Sequence, residues 1–201
     1  MDKFDVNSVG MSEYPKGSVC MYFMFLANGF EETEALVTLD LLRRAGIEVL
    51  TVGIGSEVIE GTHKILVFAD KREDEVCLED CEGIILPGGM PGTENLYASE
   101  AVSAAVDFCA KNDKLICAIC AAPIILGRKG LLKGEGAVCF PGFEEELAGA
   151  AVENAPCVRS GKFITAKGAG CVFEFSWEII SAVKGKEIAD SVISVIQHKG
   201  F

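Results

Sequence analysis

The apolar run at residues 19–27 (VCMYFMFLA) most constrains the fold. It has no polar residue at alternate positions, so a strand made from it must be buried on both faces. Shorter apolar runs recur at 83–86 and 115–119, and 47–54 reads as a further strand. Helical segments separate them. Residues 32–45 carry acidic residues in the first turn, Arg43 and Arg44 in the last and Gly46 as a stop, with Ala35, Leu39 and Leu42 as an apolar stripe. Residues 99–112 place Val102, Val106 and Cys109 on one helical face, and a helix at 123–129 stops at Gly130. Short strands are expected at 58–59, 64–68 and 137–139, and a short acidic helix at 143–148. A hairpin is expected at 158–160 and 163–166, then helices at 172–183 and 187–197. Continuous apolar strands alternating with helices predict a mainly parallel sheet between two helix layers, an α/β three-layer sandwich with its chemistry at the carboxyl ends of the strands. Residues 1–17 are polar, without clear periodicity, and read as a tail; 18–201 read as one domain.

Charge and cysteine usage narrow the function. Acidic residues outnumber basic ones 30 to 18, a formal charge of −12. That excludes nucleic acid or an anionic membrane surface as the main partner. No apolar run approaches the roughly 18–20 residues of a membrane span. Nine cysteines face two histidines, His63 and His198. An odd count cannot form a complete disulfide framework, and no secretory signal precedes it, so a reduced cytoplasmic protein is expected. Both histidines read as surface residues, and two are too few for a His-rich metal site. Cys77 and Cys81, with three residues between them, are a poor zinc signature. No metal or cofactor is expected.

One cysteine stands apart. In Leu115-Ile-Cys-Ala-Ile-Cys120-Ala-Ala-Pro123 a buried strand runs straight into a helix, with Cys120 at the junction. Ala118 and Ala122 are small enough for a sharp turn, the logic of a nucleophile elbow with Cys for Ser. Pro123 suits the first helical position. The helix start is expected to favour the thiolate of Cys120. Cys117 lies inside the strand and points to the other face, so a Cys117–Cys120 disulfide is not expected.

Two further segments follow strands. In Gly29-Phe-Glu31-Glu32-Thr33-Glu34, Glu31 and Glu32 read as helix-dipole residues. Glu34 precedes the apolar stripe and can face inward, where a desolvated carboxyl stays protonated and donates to sulfur. In Leu86-Pro-Gly88-Gly89-Met-Pro91-Gly92, the glycines let backbone N–H groups approach a ligand, and the Gly89 and Ala121 N–H groups can converge on one oxygen. Gly168-Ala-Gly170 reads as a tight turn rather than an anion site.

Taken together, FLANGFEETEAL (25–36), LLRRAGIEV (41–49), GIILPGGMPGTENL (83–96), LICAICAAP (115–123), CFPGFEEEL (139–147) and GAG before FEF (168–175) resemble the ThiJ/PfpI superfamily. The closer resemblance is to the branch of the parkinsonism-associated protein DJ-one and its bacterial relatives. It implies a flavodoxin-like sandwich and a homodimer. It also implies a nucleophilic, oxidation-sensitive Cys120 and a protonated partner carboxyl on Glu34. Gly88, Gly89, Ala121 and Phe140 would form the oxyanion and substrate-binding set. Ala121 stands where the protease-like and amidotransferase branches often carry His, which argues against a peptidase or glutaminase. Phe140 stands where the DJ-one protein has His before the Pro of the later loop, which makes the pocket more apolar. The resemblance implies cofactor-independent conversion of glyoxal, methylglyoxal or their early adducts to 2-hydroxy acids, of glyoxalase III or deglycase type. The alternative is a redox sensor, protector or chaperone acting through oxidation of Cys120.

Overall fold

The computed structural model describes residues 21–199. The tail at 1–17 therefore lies outside the described residues. The strands in chain order are β1 (Met21–Leu26), β2 (Val49–Gly53), β3 (Val58–Glu60), β4 (Leu66–Phe68), β5 (Lys71–Arg72), β6 (Cys81–Leu86), β7 (Leu115–Ile119), β8 (Gly136–Ala137), β9 (Ala151–Val152), β10 (Cys157–Ser160) and β11 (Phe163–Ala166). The helices are α1 (Glu32–Arg44), α2 (Gly92–Ala98), α3 (Glu100–Lys111), α4 (Pro123–Arg128), α5 (Val172–Lys184) and α6 (Lys186–Val195).

The main sheet has the order β10-β11-β7-β6-β1-β2-β5. All its pairings are parallel except β10 with β11. Side chains alternate across it, as the strand period of two demands. Phe23, Phe25, Ile84, Leu86 and Ile116 meet Val102, Val106 and Cys109 of α3 on one face. Met24, Leu26, Ile85, Cys117 and Ile119 meet Ala35, Leu42, Phe175 and Ile179 of α1 and α5 on the other. Both sets are removed from solvent, which is why the strands read as continuous apolar runs. The architecture is the expected flavodoxin-like three-layer sandwich.

The chain leaves β1 for β2 on one side and later returns to β6 and β7 on the other. That reversal opens a crevice at the carboxyl ends of β1 and β6, where α/β sheets of this kind bind ligands. The segments after β1, β6 and β7 all reach this crevice.

Four expectations change in detail. Helix α2 begins at Gly92, directly after the Gly- and Pro-rich loop, and buries Thr93 and Leu96. The acidic segment at 143–148 makes only a short 3-10 turn, Glu144–Glu146, because none of its three glutamates is buried to hold a longer helix. The strand at 137–139 shrinks to β8, which pairs with β9 outside the main sheet. A short edge strand, β5, extends the main sheet beside β2.

Candidate active site

Cys120 follows β7 and adopts φ +64°, in the left-handed region that side chains with a Cβ rarely occupy. Such a conformation costs on the order of 1–3 kcal/mol and persists only where neighbours fix it. Here both backbone groups are pinned: the Cys120 N–H donates to Ala166 O at 2.9 Å, and its carbonyl accepts from Phe140 N–H at 2.7 Å. Ala118 and Ala122 on either side are fully buried, so larger residues would not fit the turn. Pro123 begins α4. This is the elbow expected from the sequence, and its thiol is partly exposed.

Glu34 lies in the first turn of α1 and is 1% exposed. The Glu31 side chain caps the helix by accepting the Glu34 N–H at 2.7 Å. The Glu34 carboxyl accepts the Gly88 N–H through Oε2 at 2.9 Å. No N–H or O–H among the described residues reaches Oε1. The carboxyl group as a whole interacts with the Cys120 thiol. Burial raises the Glu34 pKa to about 7, with the Glu31 charge adding to the rise and the Cys120 and Gly88 hydrogen bonds opposing it.

The thiol behaves differently from expectation. Burial, then the negative charge and hydrogen bond of Glu34, push Cys120 up to about 12, while the Ala121 and Gly89 N–H groups pull it down. Helix α4 is only six residues long and its terminus does not outweigh these terms. Burial raises both groups, whereas the contact between them lowers Glu34 and raises Cys120. The carboxyl therefore loses its proton far more readily than the thiol. The Gly89 and Ala121 N–H groups face the sulfur and stabilise negative charge that develops there.

The glycines divide the work. Gly89 has φ +91°, and a Cβ there would stand 2.5 Å from Glu31 N and 2.6 Å from Gly29 O. Only glycine lets this loop close on the start of α1. Gly88 is so confined that a Cβ would lie 2.7 Å from Cys120 Cβ and 2.8 Å from Glu34 Oε2. Its N–H is taken by Glu34, so Gly88 positions the carboxyl and is not free to hold an oxyanion, a correction to its expected role. Phe140 joins the site through its backbone bond to Cys120, and its side chain is 47% exposed. A Cβ on Gly168 would meet its ring at 3.3 Å, and Ala169–Cys171 forms the expected tight turn.

Glu32 was read as a helix-dipole residue and His63 as a surface residue, and the structure couples them. His63 is exposed, but Glu32 is buried, receives the His63 N–H at 2.6 Å and meets His63 Nδ1 at 2.8 Å. This ties the β3–β4 turn to the start of α1, helped by Thr62, which bonds to Gly29 O and Phe30 O. A separation of 31 residues leaves no local pattern by which to find the pair. Cys117 is a buried free thiol, as is every described cysteine a free thiol.

A three-layer sandwich with a strained cysteine elbow at its switch point, backed by a buried carboxyl, defines a class of cysteine-centred α/β proteins. The chain belongs to the DJ-1/PfpI family, whose model matches residues 21–182. It is 31% identical over 172 residues to Protein dj-1beta of Drosophila melanogaster, covering 84% of this chain and 92% of that one. It is 30% identical over 165 residues to the glutathione-independent glyoxalase DJR-1.2 of Caenorhabditis elegans, covering 81% and 88%. Among solved structures, a DJ-1 superfamily protein from Salmonella typhimurium superposes with a TM-score of 0.85 at 35% identity, covering 90% of this chain and 99% of that one. Oxidized Toxoplasma gondii DJ-1 superposes at 0.83 and 32% identity, covering 90% and 100%.

Proposed function

We propose that this protein converts small 2-oxoaldehydes, glyoxal and methylglyoxal or their early adducts, to 2-hydroxy acids without a cofactor. The observation that carries this reading is the Cys120–Glu34 pair, a half-buried thiol beside a buried carboxyl whose pKa is raised to about 7. The Cys120 sulfur adds to the aldehyde carbon as its proton passes to the Glu34 carboxylate, and the new oxyanion is held by the Gly89 and Ala121 N–H groups. Glu34 then moves a proton from the aldehyde-derived carbon to its neighbour, which turns the hemithioacetal into a thioester. Water hydrolyses the thioester, releasing the 2-hydroxy acid and the thiol. The sum adds one water to the oxoaldehyde and needs no oxidant or reductant. The similarity to a relative named as a glutathione-independent glyoxalase supports the reading. The test is lactate formation from methylglyoxal with no added thiol. Lactate above the buffer rate is expected; none would overturn the proposal.

A second reading rests on the same sulfur. Cys120 is partly exposed, and Glu34 with the two N–H groups can hold the oxygens of a sulfinate. The protein would then act as a peroxide-responsive protector. Intact mass after mild peroxide tests it: a selective gain of two oxygens on Cys120 is expected, and its absence would remove this reading. A homodimer is part of the proposal too, supported by exposed Ile65, Leu66 and Phe68 at the β3–β4 hairpin. Among the described residues no helix is long and apolar enough to cross a membrane. The free thiols support a reducing, cytoplasmic setting.

A further inference from the structure

Cys81 opens β6 and Cys109 lies in the last turn of α3, and their Sγ atoms are 3.7 Å apart with both residues fully buried. The Cys81 thiol also donates to the Gly83 carbonyl at 3.4 Å. We propose that this pair is a second redox centre, separate from Cys120, which a hydroperoxide converts to an intramolecular disulfide. The sulfurs are already in contact across the helix–sheet interface. Bonding requires closing 3.7 Å to about 2.05 Å. The hydrogen bond between the two thiols and the positive charge of Lys114 favour ionisation of one sulfur of the pair.

Both residues lie at the amino end of β6 and the carboxyl end of α3, the opposite end of the sheet from Cys120. The helix ends two residues beyond Cys109, and Lys111 and Asn112 are exposed. Opening of that last turn admits peroxide without unfolding the core. Cys81 sulfur then attacks the peroxide: an S–O bond forms, the O–O bond breaks and water leaves. Cys109 sulfur attacks the resulting sulfenic sulfur: the S–S bond forms, the S–O bond breaks and a second water leaves with the remaining proton. The two thiols lose two electrons, and the peroxide is reduced to water. The bond closes a loop that contains Gly88, Gly89 and α2, so oxidation at one end of the sheet restrains the loop beside the active site.

The test treats the folded, full-length chain with hydrogen peroxide, alkylates all remaining thiols in denaturant and digests it without reduction. Trypsin leaves residues 73–111 in one peptide, since no Lys or Arg lies between 73 and 110. A Glu-specific protease then separates Cys77, Cys81 and Cys109 onto different fragments. The expected product is a Cys81–Cys109 linked pair of fragments, lighter by two hydrogens than the free thiols. Its formation raises the thermal midpoint by about 5 °C, reversibly with dithiothreitol, and Cys109→Ala loses both effects. Recovery of Cys81 and Cys109 as alkylated thiols under conditions that oxidise Cys120 would overturn the proposal. So would a link from Cys77 in place of either residue.

Discussion

The Glu34 carboxyl accepts the backbone N–H of Gly88 at 2.9 Å and so joins the first turn of α1 to the loop after β6. That one bond aims a buried carboxyl at the Cys120 sulfur. It also leaves Gly88 no room for a side chain.

Gly88→Ala therefore tests the placement of the pair. The new methyl would stand 2.7 Å from Cys120 Cβ and 2.8 Å from Glu34 Oε2, so one of them must move. Overpacking of this kind costs about 1–3 kcal/mol of stability. Displacement of the reacting groups lowers kcat/KM for methylglyoxal by about a hundredfold. Steady-state kinetics beside a denaturant melt separate the two effects. A stable variant with full activity would show that the spacing is immaterial.

The elevated Glu34 pKa makes a statement about stability. The unfolded carboxyl ionises near 4.5, while the folded one holds its proton until about 7. Between those values the folded state binds the extra proton, so stability falls as pH rises through this window. Holding that proton up to about 7 corresponds to stability on the order of 3 kcal/mol. Glu34→Gln cannot ionise, so its stability relative to the parent rises by about that amount between acid pH and pH about 8. Urea melts at the two pH values measure it. A constant difference between the proteins would mean that Glu34 is not held neutral by burial.

Much of this arrangement is legible in the sequence, for physical reasons. The long apolar runs announce strands covered on both faces, and β7 occupies the expected residues 115–119 because nothing polar interrupts it. Ala118 and Ala122 mark the elbow because only small residues fit there. Glu34 is legible by its place just ahead of the apolar stripe of α1. The Glu32–His63 pair is not legible, since it joins segments 31 residues apart. The start of α2 is hidden because Gly92 and Pro91 look like loop. The elevated Cys120 pKa is hidden as well, because it depends on burial and on the Glu34 charge, which only the assembled crevice sets.

His63 offers a prediction outside the reacting centre. Its hydrogen bond to Glu32, then the Glu32 charge, raise its pKa above 6.5. The ion pair is therefore present at low pH and is lost as pH rises through the elevated value. An NMR titration of the imidazole is expected to show a midpoint above 6.5, returning toward that value in Glu32→Gln. A midpoint that Glu32→Gln does not move would separate the two residues in solution.

Phe140 is expected to govern substrate capture more than chemistry. Its backbone holds the elbow, and that bond survives substitution of the side chain. Removing the half-exposed ring in Phe140→Ala takes away apolar surface on the residue whose N–H bonds the Cys120 carbonyl, and leaves that bond in place. KM for methylglyoxal should rise several-fold, with kcat within about twofold of the parent. A collapse of kcat at unchanged KM would instead place the ring in the chemical step.

The central claim is that the Cys120 sulfur carries out the carbonyl conversion. It is tested most directly by the rate of lactate formation from methylglyoxal in the parent and in Cys120→Ser, with no added thiol. Loss of the nucleophile should lower kcat/KM by about a thousandfold or more, with the fold unchanged by circular dichroism. Full turnover in Cys120→Ser would contradict it.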